Sequence, residues 1–363
     1  MRTDFASSDL SGKTIRHWKV GDRIDHYDIT TKYSLFYHVE NENGPAIMKV
    51  LDTEKCNRGD KDEGISRTEL LSRETTAFHY ETKVAEACTG HHMSNVIRYI
   101  ESGEVEFDDY TIPTVTFIVY ELSEGRIGDF IKFSSKADFV TDLGMLVDKL
   151  KSLHQVTKGV KQLHTNAIAH HNITPQSVEV FDDNSKHKLG ALHTSKSNQN
   201  DLHSPDSGKL FNGDLTFAPP EAFFDFRIPD TMSSYYQIDT YMLGNLVVYY
   251  LTSLNLTTLL NQHLPYSLKE LASNSADYIA VLPEITNAFD LVLQNIKSSI
   301  CVEELQAPII EIISCLCNPD PERRGYPGGF KDAHTNADLQ RVLTKLDVLY
   351  NQAQHYLANT YLK

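Results

Sequence analysis

The chain has 363 residues, 40% hydrophobic and 23% charged, which is ordinary for a globular protein with one large or two lobed domains. A formal net charge of -15, with no run of five basic residues, argues against nonspecific binding to nucleic acid or to an anionic membrane. Five cysteines without framework spacing fit free thiols in a reducing compartment, and Cys315-x-Cys317 is too closely spaced for a zinc knuckle.

Met1 to Lys13 is polar, has no apolar signal region, and is expected to be a flexible tail. Thr14 to Val50 reads as short strands, the last entered from the turn pair Gly44-Pro45 and ending on Met48-Lys49-Val50. Asp52 to Arg67 reads as a loop, and Thr68 to Cys88 as a helix with Leu71, Phe78, Val84, Ala85 and Cys88 near one face. Strands are expected at Asn95 to Glu101 and Thr114 to Leu122, joined by a solvated acidic hairpin, Glu104 to Asp109. Leu143, Leu146, Leu150, Leu153, Val156, Val160 and Leu163 recur at three- and four-residue steps, which predicts a long helix.

A loop, His170 to Ser177, follows, then strands at Val178 to Val180 and His187 to Leu192 around a turn at Asp182 to Ser185. Thr194 to Thr216 has the Ser/Asn/Asp/Gly composition of a mobile loop. Helices are expected near Asp239 to Leu254, Ala288 to Ile300, Val302 to Cys317 and Asn336 to Ala358. The apolar run Tyr241 to Leu251 is too short to span a bilayer and reads as a buried core helix. The last helix carries one stripe, Leu339, Val342, Leu346 and Leu349, which fits packing on its own domain or on another chain.

Several short motifs stand in a telling order. Lys49 ends a strand, and Glu81 lies in the helix after it. Phe117 to Glu121 follows as a strand containing Tyr120, then Leu163-His164 and His170 bracket the loop. Phe217-Ala218-Pro219-Pro220-Glu221, Asp239-x-x-x-x-Gly244 and Asn318-Pro319-Asp320-Pro321-Glu322-Arg323-Arg324 complete the set. The order and spacing resemble the protein-kinase superfamily. The resemblance implies an α+β, bilobal fold: a tail at 1–13, a small β-rich N-lobe with one helix over 14–122, and a larger helical C-lobe over 123–363 with a C-terminal helix. It also implies that Lys49 pairs with Glu81, that Arg324 pairs with Glu221, and that His170, Leu192, Asp239 and Gly244 are structural.

Phosphoryl transfer rests on a few groups at fixed places, and this chain departs from the family at most of them. The base position is Asn172, whose neutral amide cannot take a proton; losing general-base help costs on the order of 10²–10⁴ in rate. The lysine that follows is Thr174, and the second metal-holding residue is Ser177. The metal-binding aspartate of the next strand is Ala191, with Leu192 in place of the phenylalanine, so no Mg²⁺ site is expected. No glycine occurs between Gly21 and Asn43, where the phosphate loop would be, and Asp25 and Asp28 would repel phosphates.

The nucleotide pocket is altered at Ile47 and Tyr120, and Glu179 stands where a floor leucine would, facing Lys49 or solvent. His170 is expected to be packed and His171 half-exposed, without a third metal ligand. Asn172-Ile173-Thr174 and Asn255-Leu256-Thr257 match the glycosylation acceptor, a pattern without meaning in the absence of a signal peptide. The resulting expectation is a cytoplasmic pseudokinase, a regulatory module that binds a protein partner and binds ATP weakly or not at all. The alternative is an ATP-using enzyme of altered mechanism, a slow kinase or a nucleotidyl transferase, resting on Lys49 and Glu81.

Overall fold

The computed structural model describes residues 9–25, 31–59, 64–108, 110–131, 139, 142–198, 202, 211, 213–224, 231–274, 277–326 and 339–361. Asp28, Asp109 and most of 199–210 lie outside them. The fold is α+β, an antiparallel sheet in the N-terminal region followed by a helical region, and the chain divides into two compact units after Ser123.

The first unit is a six-stranded sheet of order β1-β2-β3-β4-β6-β5, antiparallel throughout. Its strands are β1 (Thr14–Ile15), β2 (Trp18–Arg23), β3 (Ser34–Asn41), β4 (Gly44–Leu51), β5 (Tyr99–Glu106) and β6 (Thr114–Glu121). Two helices, α1 (Thr53–Arg58) and α2 (Arg67–Gly90), connect β4 to β5. The turn between β3 and β4 closes on Gly44, whose φ of 114° lies where a side chain would be strained. Alternate residues of the strands, among them Trp18, Val20, Tyr37, Val39, Met48, Val50, Phe117 and Val119, fill one core.

Four expectations need correction here. The first concerns the tail, which is not loose from Asp9 on. Leu10 is 1% exposed within the sheet core, its amide donates to Tyr37 Oη at 3.3 Å, and Gly12 N donates to Val20 O at 2.9 Å. One apolar residue among polar ones leaves no period to read. The second concerns the stretch after β4, which forms α1 because the Asp52 carboxylate accepts from Lys55 N at 2.9 Å and caps it. The third concerns β5, which begins at Tyr99 and runs through the acidic stretch, with Glu104 and Glu106 exposed on a half-solvated edge strand. Lastly, α2 buries Leu70 where Leu71 was expected.

The second unit opens with β7 (Gly125–Arg126), α3 (Ile127–Phe130), α4 (Leu143–Thr165) and β8 (Ile168–Ala169). Next come β9 (Val178–Phe181), β10 (Lys186–Leu189) and β11 (Lys196–Ser197). The remainder is helical: α5 (Met232–Thr252), α6 (Leu256–Asn261), α7 (Leu268–Asn274), α8 (Tyr278–Ser299), α9 (Glu303–Leu316) and α10 (Gln340–Tyr361). Small antiparallel sheets pair β10-β9-β7 and β11-β8.

Helix α5 is the post around which this unit is built. Every residue from Ile238 to Thr252 is buried, as an all-round apolar run requires, and α4 and α9 pack on it. Helix α10 lays its stripe of Val342, Leu346, Leu349 and Ala353 on α4 and α9, so it packs within its own unit. Helix α8 starts ten residues before the expected Ala288, capped by the Asp277 carboxylate, and carries Pro283 inside it. Cys317 caps α9 and is fully buried, consistent with a core thiol.

Gly244 marks the closest approach of α5 to α9. A Cβ there would fall 2.4 Å from Cys317 Sγ and 2.7 Å from Leu316 Cβ. Gly244→Ala is therefore expected to destabilise the protein by about 1–3 kcal/mol through overpacking. Adding Cys317→Ala should restore part of that loss in a denaturant titration, because the thiol is the nearer obstacle.

Candidate functional site

Asp239 organises the loop from helix α5. Its Oδ2 accepts from His170 N at 2.7 Å and from His164 Nε2 at 2.8 Å, and its Oδ1 accepts from His171 N at 2.8 Å. The carboxylate is fully buried. Burial alone would raise its pKa, but the His164 hydrogen bond and the surrounding histidines hold it below the ordinary carboxylate range.

The ring of His170 is buried and bonded on both sides. Nδ1 accepts from Asn172 N at 3.2 Å, so Nε2 carries the proton and donates to Gly190 O at 2.8 Å. His171 is also fully buried, not half-exposed as its sequence position implied. Its backbone is left-handed, at φ 60°, and its ring meets Phe211 face to face at 6.2 Å and Tyr235 edge-on at 4.9 Å. Neither ring nitrogen has a hydrogen-bond partner, and burial pushes its pKa down to about 4. Nothing in a single histidine after another signals a left-handed turn.

The next residues use their polar groups within the protein. The Asn172 amide oxygen accepts from Asp214 N at 3.2 Å. The Ser177 hydroxyl donates to Thr174 O at 2.9 Å and accepts from Thr174 N at 3.0 Å, closing a short 3₁₀ turn over Pro175–Ser177. Strand β10 stops at Leu189, and Ala191 turns left-handed at φ 54° before the fully packed Leu192. The expected strand therefore ends three residues early.

Glu179, on β9, does not face solvent. It is 1% exposed and paired with Arg126, whose Nε lies 3.2 Å from Oε1; Arg126 is itself 3% exposed. Arg126 stands opposite Glu179 in the two-residue strand β7, too short for any periodic signal, which is why the sequence did not mark it. Gly190 makes room for the carboxylate, since a Cβ there would fall 2.9 Å from Glu179 Oε1.

A second buried pair lies deeper in this unit. Arg324 donates to Glu221 twice, at 2.7 and 2.9 Å, and also to Asn318 O at 3.1 Å, with its guanidinium over the Tyr241 ring at 5.0 Å. Burial opposes the Arg324 charge, yet the Glu221 carboxylate outweighs it and raises its pKa.

In the first unit, Lys49 Nζ donates to Glu81 Oε2 at 2.5 Å, and Tyr120 Oη donates to Glu81 Oε1 at 3.1 Å. Both members of the ion pair are buried, and Ile47 lies buried two residues before Lys49 on the same strand. Among the described residues, no cluster of three or more His, Cys, Asp or Glu stands where it could hold a metal. No described helix is long and apolar enough to cross a membrane. A scan against protein-family models and a search of curated proteins find no match to this chain.

The histidines give the loop an acid sensitivity whose sign can be worked out. The pKa values of His171 and His187 are pushed by burial from the ordinary 6.5 to about 4, and that of His170 is also lowered. Between pH 6.5 and 4 the unfolded chain binds protons that the folded chain refuses, so stability falls as pH falls through that window. Each such group contributes on the order of 1 kcal/mol per pH unit. Asp239, held low, adds a further loss only below its ordinary 3.8. Urea titrations at pH 7, 6 and 5 should show this decline, and His171→Phe should flatten it.

Proposed function

We propose that this chain is a pseudokinase: a binding and regulatory module on a protein-kinase-like fold that does not transfer phosphate. The observation that carries this reading is the loop from His170 to Ser177. Its shape is maintained by Asp239, while Asn172 and Ser177 have their polar groups engaged by Asp214 and Thr174. An amide that accepts a backbone N–H is not a proton acceptor for a substrate hydroxyl. The Arg126–Glu179 pair supports the same reading, since a buried ion pair stands where an adenine floor would need an apolar side chain. Such a protein acts through its conformational state and through what it binds, with a protein partner as the ligand.

The Lys49–Glu81 pair favours one other reading, an ATP-using enzyme of altered mechanism. A thermal-shift series with ATP and GTP, each without metal and with Mg²⁺ or Mn²⁺, separates the two. A pseudokinase of this kind gives no shift and no added mass on the protein after hours of incubation. A saturable shift together with self-labelling that Lys49→Ala abolishes would overturn the proposal.

A further inference from the structure

We propose that the cavity between α6 and α8, in the second unit, binds a small, uncharged, planar aromatic molecule with an O–H or N–H donor, of the phenol or indole class. The cavity measures about 270 Å³. Packing between helices ordinarily leaves gaps no larger than a water molecule, whereas sites for small molecules begin near this size. A comparison within the same unit makes the point: the gap between α4, α5, α9 and α10 measures about 10 Å³.

The floor is apolar because α6 and α8 meet there. Leu259 of α6 is buried, as are Val292 and Ile296 of α8, which stand four residues apart on one face of that helix. Phe139 also lines the cavity and adds an aromatic surface, so the interior suits a flat ring. A volume of this size takes one or two fused rings and not a stretch of polypeptide, which favours a free small molecule over a partner's side chain.

The rim sets the rest of the chemistry. It is polar and open to solvent, and no Asp, Glu, Lys or Arg lines the cavity among the described residues. A charged ligand would give up water there for no counter-charge. Ser298 and Ser299 line the rim, and each donates its hydroxyl hydrogen to Asn295 O, at 3.0 and 2.9 Å. With the hydrogen committed, each oxygen has only lone pairs left to offer, so the rim supplies acceptors and requires a donor on the ligand. The Asn295 amide donates to His263 Nε2 at 3.2 Å, which ties α8 to the segment after α6 across the mouth. This proposal stands on the second unit alone and is independent of the pseudokinase reading.

The test uses the full chain and ligand-observed NMR titrations with para-cresol, its isomer anisole, benzoate and Nα-acetyl-tyrosinamide. Para-cresol is expected to bind saturably in the millimolar range, as suits a ligand of few atoms. Anisole has the same size without the donor and should bind about fivefold more weakly, as should the charged benzoate. The variant Ser298→Ala/Ser299→Ala, at the rim and outside the core, should bind para-cresol no better than wild type binds anisole. Val292→Phe, which fills the floor, should abolish binding; if it does not fold, the serine variant decides alone. No saturable binding of para-cresol to wild type, equal affinity for para-cresol and either anisole or benzoate, or unchanged affinity in the serine variant or in a folded Val292→Phe would each overturn the proposal. Tighter binding of Nα-acetyl-tyrosinamide than of para-cresol would overturn it too, in favour of a partner's side chain.

Discussion

Replacing Glu221 with alanine is expected to cost about 3–5 kcal/mol and to lower the melting temperature by on the order of 10 °C. The magnitude follows from what is left behind. Arg324 is fully buried, and its two strongest donors would face a cavity without water or counter-charge. Arg324→Ala should cost a similar amount by stranding the carboxylate. The informative comparison is the double replacement Glu221→Leu/Arg324→Met, which removes both charges and keeps the volume. If the pair is chiefly a steric and registration device, the double variant recovers most of the loss; if both single variants melt like wild type, the pair carries no stability. The carbonyls of Asn318 and Pro319, which also receive Arg324, set a limit on that recovery.

Arg126 and Glu179 should behave in the same sense, with a second consequence. Arg126→Ala leaves a carboxylate 1% exposed without its cation and should destabilise by about 3–5 kcal/mol near neutral pH. Lowering the pH should relieve part of that cost in the variant, because a buried carboxylate that has lost a cation lowers its penalty by taking up a proton. The variant is therefore expected to gain stability relative to wild type on moving from pH 8 to pH 5. The double variant Arg126→Met/Glu179→Leu should be as stable as wild type. Under the pseudokinase proposal it is also the variant in which a nucleotide has the best chance to bind, so a metal-independent thermal shift appearing only there would tie the pair to the loss of the ligand. No pH-dependent gain in Arg126→Ala would mean that the surroundings of Glu179 hold its charge without Arg126.

Much of this molecule was legible in the sequence, for identifiable reasons. The helices α4, α5 and α10 carry strong apolar periods or continuous apolar runs, and such patterns survive in any context. Lys49 with Glu81 and Glu221 with Arg324 could be paired because the family resemblance, carried by short motifs in order, implies both pairs. The misses share a different cause. Leu10, Arg126 and His171 are buried from a polar stretch, a two-residue strand and a left-handed turn, and none of these leaves a period. Helix α1 depends on one capping carboxylate in a polar stretch that composition alone reads as a loop. The site is thus half visible: the residues that differ from the resemblance could be named in advance, but the neighbours that absorb their polar groups could not.

The clamp at Asp239 has a consequence for the order in which the molecule assembles. The amides of His170 and His171 find their acceptor 69 and 68 residues further along the chain, on a helix that is buried on all sides. No local segment can shape that loop on its own; it takes form only when α5 has docked. Loop closure over such a span is paid for late, after the non-local contacts that reward it begin to form. These two amide protons are then reporters of α5 docking, exchanging with solvent only through openings that release the helix, while amides of the neighbouring turn at Asp182 to Ser185 exchange by local fluctuation.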